Sequence, residues 1–89
     1  MPRYVVERTF PQGLGIPASP EGAQACRAVV ERNADGATWL HSYVSVDDRT
    51  TFCVYEAASP EAVRSAAARS RLPVDRITQV RVLDPYFEA

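Results

Sequence analysis

The residues best suited to chemistry lie close together in the chain. They fall in Trp39-Leu40-His41-Ser42-Tyr43-Val44-Ser45 and, after a short acidic turn at Asp47-Asp48, in Thr51-Phe52-Cys53-Val54-Tyr55-Glu56. The only histidine and one of the two cysteines are here. Both runs are patterned as strands, in which successive side chains point to opposite faces. Unbroken alternation predicts Trp39, His41, Tyr43 and Ser45 on one face, with Leu40, Ser42 and Val44 on the other. In the second run, Cys53 and Tyr55 share a face opposite Phe52 and Val54. Leucine and valine can supply a core, whereas imidazole, phenol and thiol together can hold a metal or move a proton.

No standard catalytic motif accompanies them. Gly13-Leu14-Gly15-Ile16-Pro17 lacks the third glycine and the lysine–serine/threonine pair of phosphate loops and reads as a plain loop. One histidine without an acid or serine at a family spacing makes no catalytic triad. Neither paired cysteines nor paired histidines mark a closed zinc site. What stays is a constellation on one sheet face: His41 with Glu7, Tyr43, Cys53 and Tyr55. Imidazole with carboxylate and water ligands suits Ni²⁺, Cu²⁺ or Zn²⁺. The competing readings are a hydrogen-bonded structural histidine or a histidine within a dimer interface. Cys26, in a helical pattern, reads as a small core residue, and a buried structural thiol is the simpler reading of Cys53 as well.

The elements that must position these residues follow from punctuation and periodicity. Arg3 to Phe10 is rich in β-branched and aromatic residues and reads as a strand. Two glycines and two prolines between Pro11 and Pro17 make a loop. Ser19-Pro20-Glu21 reads as a helix start: serine can cap an orphan amide, proline suits the first position, and glutamate favours the positive end. Ala23, Cys26, Val29 and Val30 form its apolar stripe, and Asn33-Ala34-Asp35-Gly36 ends it. After the two central strands, Ser59-Pro60-Glu61 repeats the helix signal, with Val63, Ala66, Ala67 and Ser70 facing inward and Arg64, Arg69 and Arg71 solvated. Arg76 to Leu83 reads as the last strand, closed by Asp84-Pro85-Tyr86.

The order is β-α-β-β-α-β. It is the signature of an α+β, ferredoxin-like fold: a four-stranded antiparallel sheet with both helices on one face and strands one and three at its centre. The 89 residues make one such domain, 1–89, and a 46% hydrophobic content argues against disorder. A net charge of −1 gives no electrostatic reason to expect nucleic acid or an anionic membrane as partner. All ten basic residues are arginine, which reads as compositional bias. With no apolar run approaching the ~18 residues of a membrane span, and no apolar core in Met1–Arg8, the expected location is cytoplasmic with reduced thiols.

Helices on one face leave the other face of the sheet uncovered. By the alternation above it carries Trp39, His41, Tyr43, Cys53 and Tyr55, with Val5, Glu7 and Thr9 from the first strand. So much aromatic area is rarely left in water. The sequence therefore predicts a homodimer, with sheets meeting or with the Tyr86-Phe87 segment folding over. The opposite parity would bury Glu7 and His41 beneath alanine-rich helices at a desolvation cost.

Four segments carry a family resemblance: Tyr4-Val5-Val6-Glu7-Arg8, Trp39-Leu40-His41-Ser42-Tyr43-Val44, Cys53-Val54-Tyr55-Glu56-Ala57 and Leu72-Pro73-Val74-Asp75-Arg76-Ile77. Together they resemble the family of small stand-alone bacterial nickel-binding proteins. The resemblance implies a dimeric ferredoxin-like protein binding nickel at the dimer surface, in sequestration or detoxification, with His41 the leading ligand and Glu7 its carboxylate partner. Tyr43, Cys53 and Tyr55 would line the site. One departure is that many relatives carry a histidine in the second helix, in an Arg-x-His-Ala setting, where this chain has Arg64-Ser65-Ala66-Ala67. Two other readings stay open. One is a ligand-sensing or interaction module. The other is a cofactor-free enzyme of the dimeric α+β barrel type, with His41 as general base and Tyr43 or Tyr55 orienting substrate. A pocket of several hundred cubic ångströms beside His41 would favour the enzyme. Of enzyme and non-enzyme, the latter is expected.

Overall fold

Both Ser-Pro-Glu signals start helices. In the computed structural model, Ser19 Oγ accepts the Gly22 N–H and Ser59 Oγ accepts the Ala62 N–H, each at 3.3 Å, so each serine satisfies one orphan amide of a first turn. The structure describes residues 1–16, 19–32, 36–70 and 72–86, with side chains except at 26, 28–32, 69 and 70. Their elements run β1 (Arg3–Thr9), α1 (Pro20–Arg32), β2 (Ala37–Val44), β3 (Thr50–Ala57), α2 (Pro60–Ser70) and β4 (Arg76–Val80). The side chains of Cys26, Val29, Val30 and Ser70, expected to face inward, lie outside the described residues, as do Arg69, Arg71 and Phe87.

The strands form one antiparallel sheet in the order β2-β3-β1-β4, with β1 and β3 central. This is the ferredoxin-like α+β arrangement expected from the element order. The last strand is shorter than its composition suggested. It ends at Val80, which pairs with Arg3 at the start of β1, and the next residue along β1 is Pro2, which has no N–H to offer a ladder. Val82 and Leu83 are consequently exposed, and so is Tyr86, which does not fold over the sheet.

Register fixes which side chains share a face, because directly paired residues point the same way. Tyr4 pairs with Tyr55, and Val6 with Cys53. These four, with Ala37 and Ala57, are buried against Val63 and Ala66 of α2. The opposite face carries Val5, paired with Val54, and Glu7, paired with Phe52. Arg3–Glu56 (3.5 Å) and Arg76–Glu7 (3.8 Å) ion pairs cross it. Phe52 and Tyr43 leave much apolar area there in water. The expected face is thereby corrected: Cys53 and Tyr55 lie beneath the helices, on the side away from Glu7. A residue pair one step out of register is enough to invert a face.

Candidate functional site

The strand that carries the histidine is not regular. Trp39 pairs with Tyr55 and His41 with Val54, so two residues of β2 advance while β3 advances one. Leu40 is the extra residue of a β-bulge, and it reverses the alternation from that point on. Trp39 therefore packs on the helix side against the core, whereas His41 and Tyr43, opposite Val54 and Phe52, lie on the open face. There the two rings meet edge to face, 5.3 Å between centroids and 90° between planes. Ser42 turns inward with Cys53.

Of the five residues singled out in the sequence, the open face brings together His41, Tyr43 and Glu7. His41 and Glu7 are not neighbours within it. Two strand spacings and one pair step separate them, on the order of 12 Å between Cα atoms, with Phe52 and Val54 between. Glu7 is engaged by Arg76. Among the described residues no group of three histidine, cysteine, aspartate or glutamate side chains could hold a metal ion. Ala66, which stands in the Arg64-Ser65-Ala66-Ala67 stretch of α2, is buried between α2 and the sheet. Its side chain is on the other side of the sheet from the His41 ring.

Cys53 and Tyr55 line something else. Between the helix side of the sheet, the loop at Leu14–Ile16 and the first turns of α1 lies a cavity of about 1430 Å³. α2 packs closely on β3 and β2, whereas Ala23 of α1, expected in an apolar stripe, is exposed to this space. The cavity reaches the β2 edge at Leu40 and His41. Its polar lining includes Arg8, Thr51, Cys53 and Tyr55, all buried. The free Cys53 thiol donates to Thr51 Oγ1 at 3.6 Å. Burial raises the Tyr55 hydroxyl above the ordinary tyrosine range, an effect opposed by the adjacent Arg8 charge.

Arg8 was not singled out by sequence reasoning. Alternation from Tyr4 through Val6 was the signal for it, since the next residue on that face is Arg8. The loop at the cavity mouth is held by Asp48, whose carboxylate accepts the Gly15 N–H at 2.9 Å while its carbonyl accepts the Leu14 N–H at 2.8 Å. Asp48 has φ of 65°, a left-handed conformation that aspartate tolerates better than most residues. At Gly13 (φ 85°) a Cβ would stand 3.3 Å from Asp48 Oδ2, so the loop and the β2–β3 turn fit closely there.

The class defined by these features is a small α+β sheet protein with one helix-covered face and one open face bearing a lone histidine. A family described as Nickel responsive protein SCO4226-like matches residues 4–80, and the chain belongs to it. Among solved structures, the crystal structure of SCO4226 from Streptomyces coelicolor A3(2) is similar, with a TM-score of 0.68 over 92% of this chain and 99% of that one. At 19% identity that likeness is one of fold. No curated protein matches the chain.

Proposed function

We propose that this protein binds nickel as a homodimer, with His41 the imidazole ligand and the remaining donors completed by the second copy. The observation that carries the reading is the His41 ring, the chain's only imidazole, exposed on an open face that also leaves Phe52 and Tyr43 in water. Membership of a family described as nickel responsive supports the choice of metal, and imidazole with oxygen donors suits Ni²⁺. Packing two open faces about a two-fold axis would cover the aromatic area and double every ligand. It would also let Glu7 of one copy approach His41 of the other, which the register does not allow within one chain. Sequestration or detoxification of the ion is the corresponding role.

The test is isothermal titration of tag-free protein with Ni²⁺, with Zn²⁺ and Mg²⁺ as comparators, alongside molar mass from light scattering. Saturable nickel binding by a dimer, lost in His41→Ala with the fold intact, is the expected result. Undiminished stoichiometric binding by His41→Ala, or binding by a monomer, would overturn the assignment.

A further inference from the structure

The Arg8 guanidinium is 1% exposed, yet its Nε and Nη1 have no hydrogen-bond partner. Its hydrogen bond and its ring contact are both with Tyr55: Nη2 lies 3.5 Å from the hydroxyl, and Cζ lies 5.8 Å from the ring centroid. A neutral phenol at that distance does not balance a buried cation. Arginine stays protonated even when buried, so it cannot escape the cost by losing its proton. Buried charges are ordinarily paired, and no carboxylate among the described residues pairs with this one. Asp48, the acidic residue of the same cavity, is committed to the Gly15 N–H. Arg27 and His41 also line the cavity, and most of the remaining wall is apolar, including Phe10, Leu14, Ile16, Trp39 and Leu40.

We infer that the cavity between α1 and the sheet is a binding site for an apolar organic monocarboxylate, its carboxylate held by Arg8 and its apolar body by the aromatic and aliphatic wall. Nη2 has a second N–H besides the one directed at Tyr55, and together with either unused nitrogen it forms the fork that matches a single carboxylate. A free inorganic anion would leave the apolar wall unused. About 1430 Å³ is ample for a small organic acid, since ligand pockets commonly span roughly 300–1,000 Å³. The cavity meets the nickel reading at one residue, His41 on its β2 edge, whereas Arg8 has no part in that reading.

Trp39 is the only tryptophan and lines the cavity, so its fluorescence reports occupancy. The 89-residue protein is titrated with octanoate and with octanamide, the uncharged analogue of the same shape. Octanoate is expected to bind saturably and roughly ten- to a hundredfold more tightly than octanamide, the range of a charge-assisted hydrogen bond. Arg8→Met should bring octanoate down to the amide's affinity while leaving the amide unchanged, and Arg8→Lys should keep part of the preference. Equal affinity of acid and amide for the wild-type protein would overturn the inference, and so would a preference that persists in Arg8→Met. The wild-type comparison decides the matter even if Arg8→Met fails to fold.

Discussion

The Trp39 indole N–H donates to Ser42 Oγ at 2.9 Å, joining two residues of one strand three positions apart. Regular alternation would place them on opposite faces. They meet because Leu40 is an unpaired extra residue, so the strand resumes with inverted parity and presents His41 outward.

Deletion within a strand normally throws every later side chain onto the wrong face. Here, removing Leu40 leaves Trp39 opposite Tyr55 and His41 opposite Val54, now as consecutive regular pairs. The ΔLeu40 protein is expected to fold with Trp39 still shielded from water. Deleting Ser42 instead should shift Tyr43 and Val44 out of register and cost far more stability. Urea unfolding followed by tryptophan fluorescence compares the two; equal losses would refute the bulge assignment.

Asp48 combines a left-handed backbone with a carboxylate that secures Gly15. Asp48→Ala forfeits a hydrogen bond and adds left-handed strain, a loss of about 2 kcal/mol together. Asp48→Gly relieves the strain and should lose about 1 kcal/mol, and Asp48→Asn least of the three. Urea midpoints give the ranking, and faster exchange of the Gly15 amide in the alanine variant locates the effect.

Burial raises the Tyr55 pKa in the folded protein, against the opposing effect of Arg8. The unfolded chain releases this proton first, at the ordinary value near 10. The contribution is thus fully present below about pH 10 and is lost as pH rises from there through the folded value. Tyr55→Phe should flatten the alkaline fall in stability. An unchanged slope in urea midpoints measured across the alkaline range would assign that fall to other groups.

Glu7 and Arg76 approach to 3.8 Å on a solvent-facing surface, where such pairs contribute little. Glu7→Gln should change unfolding free energy by less than about 0.5 kcal/mol. A drop in nickel affinity in this variant, with stability held, would then report ligation and not damage. Thermal unfolding and titration on the same sample separate the two.

Much of the fold was legible because its signals are local. Ser19 and Ser59 with their following prolines marked both helix starts, and element order alone gave the sheet topology. The faces were less legible, for two physical reasons. The bulge at Leu40 has no composition cue in Trp39-Leu40-His41, since leucine is as acceptable in a regular strand as in a bulged one. The placing of Glu7 against Cys53 and Tyr55 needed a register, and register is a property of two strands and not of either one. The β4 overrun past Val80 failed similarly: Arg81-Val82-Leu83 is good strand sequence, but Pro2 stands where its partner would be. Arg8 could have been read from Tyr4 and Val6, but a charged residue in a short chain is expected in solvent, and the alternation went unused.

The irregularity in β2 bears on how copies of this chain can associate. β2 and β4 are the sheet's two margins, and a flat margin invites another molecule to extend the ladder without limit. The bulge disturbs one margin, and the other is only five residues long. Growth sideways into fibrils is thereby disfavoured at both ends. If two open faces pack as proposed, that contact stops after two molecules, because each face is consumed by its partner.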